Sequence, residues 1–176
     1  QKFNLSKLNN LVTLSGVSKK LTVFCRENQK YSLYNSDRYG FNNPDKVWKN
    51  SNVNAIFIGD SFTFGDCVNR PNDIPSVIRD QTASNIINLG YRGNGPLIEY
   101  ATLREFLNTK VKKVLWIYYE NNDLGDLKIE ITDNILINYL KDLNFTQNLK
   151  FKQNDVDSLL SNLIIEKEKE REINTF

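Results

Sequence analysis

The sequence predicts an α/β domain of three layers, a parallel sheet between helices, and three observations carry that reading. Residues 53–59, 84–89 and 113–119 are short runs dominated by apolar residues, as a strand covered on both faces must be. Helix-length text separates each run from the next, which suits crossover connections rather than hairpins. With right-handed crossovers and helices on both faces, the first strand is expected in the middle of the sheet.

The elements follow in order. Residues 1–20 are polar with scattered leucines and read as loop with a short helical piece. Residues 21–24 and 31–34 read as two short strands around a polar connection, a hairpin. Residues 40–44 carry turn chemistry. After the first long strand, residues 71–75 form a Pro-bounded loop, and Pro75 can open a helix through Asp80. Pro96 suits another first helical position, with Leu97, Ala101, Phe106 and Leu107 on one face up to Asn108. Beyond Asp126 the text turns helical: Ile131, Ile135, Leu136, Tyr139, Leu140 and Leu143 share helical spacing. Val156, Leu159, Leu160, Leu163 and Ile164 mark a further helix, ending in the charged run 166–172, which reads as a solvated end. A single domain of 1–176 results, with an N-terminal extension (1–50), a motif-bearing core (51–126) and a helical segment (127–176).

Composition narrows the function. An apolar fraction of 40% supports a real core, and a net charge of +2 gives no mandate for nucleic acid. No run approaches the roughly 20 apolar residues of a membrane-spanning helix, and no signal peptide is visible. The chain opens on Gln1 and holds no methionine, so the expectation is that it is not a complete translation product. Cys25 and Cys67 allow one pairing, and either two buried thiols or a bridge fits. No metal site is expected, because histidine is absent, the cysteines are far apart and no carboxylates have ligand spacing. The glycines from Gly90 to Gly95 lack the Lys-Ser/Thr ending of a phosphate loop and the dinucleotide spacing, so no cofactor is expected.

The chemistry centres on Gly59-Asp60-Ser61-Phe62-Thr63-Phe64-Gly65, directly behind the first strand. A turn there exposes a serine hydroxyl, and the following helix aims N-terminal amides at developing negative charge. The plain alternative for Ser61 is a helix N-cap. Asp60 reads as a carboxylate that steadies the turn. A serine needs a base to take its proton, and the whole sequence contains no histidine.

Gly59-Asp60-Ser61 resembles the first block of the SGNH (GDSL-type) hydrolases. Tyr91-Arg92-Gly93-Asn94-Gly95-Pro96, after the second strand, is similar to the family's glycine block. Glu120-Asn121-Asn122-Asp123, after the third, resembles its Gly-x-Asn-Asp block, with Glu120 where glycine is usual. The three blocks span residues 53–125, and the family's C-terminal Asp-x-x-His block has no counterpart. Asp37-Arg38-Tyr39-Gly40-Phe41-Asn42-Asn43-Pro44 and the text around Tyr118-Tyr119 resemble a bacterial subgroup whose members are often exported, and that setting leans toward a Cys25–Cys67 bridge.

The resemblance implies a flavodoxin-like three-layer fold, with a parallel sheet incomplete on its C-terminal side. It implies a serine esterase or O-acyltransferase acting on acyl esters, glycan esters among them, in the periplasm, envelope or exterior. Ser61 is then the nucleophile, and the Ser61 N–H, Gly93 N–H and Asn122 amide are the oxyanion donors, converging on one cavity at the C-terminal ends of the strands. Turn roles for Gly93 and Asn122 are the plain alternatives. A non-catalytic relative kept for binding, and a flavodoxin-like domain with chance matches, are the competing classes.

Overall fold

A computed structural model describes residues 11–27, 29–107 and 110–173. Its centre is a parallel sheet of β3 (Ala55–Gly59), β4 (Ile86–Asn88) and β5 (Val114–Ile117), in the order β4-β3-β5. Ala55 to Phe57 pair with Ile86 to Asn88, and Ile56 to Gly59 pair with Val114 to Ile117. The first long strand therefore lies in the middle, as the crossover argument requires.

Alternate residues of β3 serve the two faces. Ala55 and Phe57 pack with Ile86 and with Ile78 of α2 (Ile74–Thr82). Ile56 and Ile58 join Ile87, Leu89 and the Leu97, Ala101 and Phe106 side chains of α3 (Pro96–Phe106) in the main core. The second face is thicker, because α5 (Asn134–Lys141) adds Leu136 and Tyr139, and α6 (Gln153–Ile173) adds Val156. Both prolines sit as expected: Pro75 and Pro96 open their helices, and Asp73 caps the former through Ser76 N.

Ahead of this sheet, β1 (Leu21–Glu27) and β2 (Lys30–Asn35) form the expected antiparallel hairpin. It packs through Phe24 and Tyr34 against Phe64. The bridge between Cys25 and Cys67 is formed, which decides the open question about the cysteines. It ties β1 to the loop just past the Gly59–Gly65 turn.

Two expectations are corrected. The helical text after Asp126 is two helices, α4 (Asp123–Glu130) and α5, because the Asp133 side chain caps a new start at Ile135 N and Leu136 N. Ile131, Leu140 and Leu143 are accordingly exposed rather than lined up on one buried face. Also, β5 is not covered on both faces: Val114, Leu115 and Trp116 are 42%, 40% and 44% exposed. Among the described residues β3 is its sole strand neighbour, so β5 is an edge. In the charged tail of α6, Lys167 pairs with Glu170 on the helix surface, as a solvated end should. No helix of the described residues is long and apolar enough to cross a membrane.

Candidate active site

The turn behind β3 is built to present one hydroxyl. Gly59 has φ +156, and a Cβ there would lie 2.1 Å from Thr63 Oγ1 and 2.7 Å from the Ile117 carbonyl, so glycine is required for the strand to meet the helix. The helix α1 (Ser61–Phe64) is a single turn, stopped by Gly65 in the left-handed region. So short a helix has little macrodipole, so what it brings to the site is its N-terminal amides. Its N-cap is Asp60, which accepts from Phe62 N at 3.1 Å. Ser61 therefore does not cap, and its hydroxyl is left to point elsewhere.

A polar scaffold holds this turn from below. Asn42 donates to the Phe64 carbonyl and Asn88 to the Thr63 carbonyl, both at buried positions. Asn43 bonds both the N–H and the C=O of Asn88. Asp37, 1% exposed, gathers Tyr39 N, Phe41 N, Asn43 Nδ2 and Trp48 Nε1. The Asp37–Pro44 stretch is thus a buttress: it spends its side chains on backbone groups under α1 and β4.

Ser61 and Asn122 meet at Asp60. Ser61 Oγ lies 3.4 Å from Asp60 Oδ2, and Asn122 Nδ2 lies 3.4 Å from the same oxygen. The two groups cannot be farther apart than twice that distance. Asn122 lies in a turn and occupies the cap position of α4, but makes no side-chain cap bond. Its amide turns inward to Asp60 and to Asp126 Oδ2 at 3.5 Å. Asp123 closes the loop through Tyr119 N at 2.6 Å and is fully buried.

Gly93 is placed differently. Its φ of +78 is the turn conformation expected of a glycine, but it is exposed, and a Cβ would meet nothing within 4 Å. No hydrogen bond joins it to Ser61 or Asn122. The loop touches the serine turn earlier, at Gly90, where a Cβ would lie 2.6 Å from Phe64 N, and at Tyr91 N, which donates to the Gly59 carbonyl. Beside Gly93, Arg92 pairs with Asp66 at 3.2 Å and donates to the Phe24 carbonyl. Asn94 is buried, and its Nδ2 has no hydrogen-bond partner among the described residues.

The surroundings are acidic. Glu130 accepts from Gly95 N, Leu97 N and Ile98 N, closing the start of α3. Glu99, 1% exposed, accepts from Trp116 Nε1 at 2.6 Å, and its Oε1 has no partner. Burial first, then the nearby carboxylates of Asp123, Asp60 and Glu130, push the Glu99 carboxyl up to about 8, against the pull of the Trp116 bond. Above the site, the Phe62 and Tyr119 rings meet edge-on at 5.1 Å and both are exposed. The position of Ser61 and Asn122 was legible from their blocks, whereas Asp60 as their shared acceptor and Glu99 as a raised acid were not. Glu99 lies mid-helix with no signal beyond its apolar neighbours.

One group of potential metal ligands exists among the described residues, Cys25, Glu27 and Cys67, whose ligand atoms lie within 4.8 Å of one another. Both sulfurs are committed to the bridge, so this cluster offers no thiolates. The fold and site define a mixed α/β domain in which a three-stranded parallel sheet presents a serine and an asparagine at its C-terminal edge. No family model, curated protein or solved structure matches the chain.

Proposed function

We propose that the chain is an SGNH-type serine esterase or O-acyltransferase module, acting on acyl esters of glycans through an acyl-serine at Ser61. One observation carries the reading: Ser61 Oγ and Asn122 Nδ2 reach the same oxygen of Asp60, beyond the C-terminal ends of adjacent parallel strands. Ligands of open α/β sheets bind at that end. In the reaction, the ester carbonyl enters between the two groups and the Asn122 amide exchanges Asp60 for the carbonyl oxygen. Ser61 Oγ bonds to the carbonyl carbon as its proton passes to an added base (imidazole in the test below), the acyl C–O bond breaks, and the alcohol leaves with that proton. Water then returns the acid, or a sugar hydroxyl takes the acyl group. The Ser61 and Gly93 backbone N–H groups are the further donors. Phe62 and Tyr119 offer an apolar collar for the acyl chain. The Cys25–Cys67 bridge is compatible with an extracellular or envelope setting.

The sequence has no imidazole, so these 176 residues supply the nucleophile and donors without the usual base. That absence favours a second reading, a domain that binds an ester or glycan in the same place without turnover. Imidazole rescue separates them. The purified chain should hydrolyse p-nitrophenyl acetate negligibly, and added imidazole should accelerate it beyond the rate seen with Ser61→Ala. Equal rates for the two proteins leave only the binding reading. Rapid turnover without imidazole, lost in Ser61→Ala, makes a carboxylate (Asp60, Glu120 or Asp123) the base and overturns the half-site account.

A further inference from the structure

At the opposite end of the strands from Ser61, where the chain enters β4, lies a cavity of about 680 Å³. Its walls are the short 3-10 turn Asp45–Lys49, the loop at Arg70 and one face of α2. Such a volume is within the range of small-molecule sites, large enough for a sugar or two. Its charged lining consists of Lys46, Arg70, Arg79 and Asp80. Asp80 and Lys46 are exposed to water, whereas the two arginines are half-buried.

The arginines are fixed by neutral partners. Arg79 donates from Nε to the Ile86 carbonyl at 2.9 Å, from Nη1 to Ser76 Oγ at 3.0 Å and from Nη2 to Asn43 Oδ1 at 2.6 Å. A guanidinium has five N–H donors, so the two remaining ones are available to a ligand. Arg70 donates from Nη2 to the Asn35 carbonyl at 2.9 Å. Neither guanidinium has a carboxylate within ion-pair distance among the described residues. Asp73, Asp37 and Asp80 attract Arg79, and Asp73 and Asp37 attract Arg70, from beyond ion-pair distance; Asp37 accepts from Phe41 N and Asp73 from Ser76 N. Burial lowers the affinity of both guanidiniums for their protons, that of Arg79 to about 10, where the charge of Arg70 adds to the effect; the carboxylates of Asp73 and Asp37 work against it. A partly desolvated cation with no carboxylate in direct contact favours an anion in the adjoining space.

We propose that this cavity binds a small anionic ligand: a sugar-sized molecule whose carboxylate or phosphate is gripped by Arg79 and Arg70, with Lys46 at the mouth. Guanidinium geometry matches both kinds of oxyanion with paired N–H···O bonds. The site is separate from the Ser61 end of the sheet, so it stands or falls independently of the ester reading.

Calorimetric titration of the whole chain tests it with glucuronate, glucose 6-phosphate, inorganic phosphate and neutral glucose as probes. At least one sugar anion should bind saturably and raise the melting temperature, while glucose does neither. The carboxylate and phosphate arms show which oxyanion the site takes, and inorganic phosphate shows how much the sugar contributes. The Lys46→Gln/Arg70→Gln variant should weaken that binding about tenfold or more, as loss of charge-assisted hydrogen bonds implies. Arg79 also holds the Ile86 carbonyl, so Arg79→Gln is checked for folding by circular dichroism, and the Lys46/Arg70 variant carries the test. Absence of saturable binding by every anion to about 20 mM, weaker than any affinity a built site provides, overturns the proposal. So does equal binding of glucose, or binding unchanged in the double variant.

Discussion

Removing the Cys25–Cys67 bridge is the most quantitative perturbation the structure offers. The cysteines are 42 positions apart, so the bridge closes a loop that contains β2, β3 and α1. In the chain-entropy treatment, a loop of that length restricts the unfolded chain by about 4 kcal/mol at 25 °C. In a chain of this size, each kcal/mol corresponds to roughly 2–4 °C of melting temperature. The Cys25→Ala/Cys67→Ala variant should therefore unfold roughly 8–16 °C lower, with a matching fall in the guanidinium midpoint followed by circular dichroism. Cys67 adds a second handle, because its φ of +63 lies in the left-handed region that a side chain resists. Pairing Cys25→Ala with Cys67→Gly instead should recover about 0.5–1 kcal/mol of that loss, less glycine's own entropy cost in the unfolded chain. Two reactive thiols in the native protein, or a loss below about 1 kcal/mol, would refute the reasoning.

The Glu99 carboxyl gives a pH signature. Its folded value, about 8, lies above that of a free glutamate, so the folded state holds the proton more tightly. Its contribution is complete at low pH and is lost as pH rises toward 8. Chemical denaturation should show wild type losing up to about 1.4 kcal/mol per pH unit between about pH 5 and 8 relative to Glu99→Gln; parallel profiles for the two proteins would contradict this. Glu105 is a structural counterpart: it accepts from Tyr139 Oη, Thr146 Oγ1, Gln147 N and Leu149 N, tying α3 to the 145–149 loop. Glu105→Ala strands those donors and should cost about 3 kcal/mol or more in the same denaturation assay. Glu105→Gln, which keeps one acceptor oxygen, should cost less.

Much of the framework was legible because it rests on local chemistry. Strand order followed from apolar runs and crossover handedness, the hairpin from two short β-rich runs, and the helix starts from Pro75 and Pro96. The break at Asp133 was also written in the sequence, as an N-cap residue before Asn134-Ile135-Leu136, but continuous apolar spacing across it masked the signal. Burial of β5 was misjudged for a different reason. An apolar run states what a strand prefers, and only the packing of other elements decides whether it is covered. At the site, Ser61 and Asn122 were visible as motif residues. Their meeting at Asp60 and the exposed turn at Gly93 depend on loop geometry, which no single residue encodes.

The edge formed by β5 bears on how the protein behaves in a crowded solution. Residues 114–119, Val-Leu-Trp-Ile-Tyr-Tyr, contain no charge, proline or glycine, and among the described residues no strand pairs with the outer side of β5. A window of that kind is a template on which other extended chains can grow. Lys112 and Lys113 stand immediately before it and Glu120 immediately after. Charges so placed act as gatekeepers, because stacking the segment in register would bring like charges together at both ends. Protection of this strand against edge-on pairing therefore falls to three charged residues at its two ends.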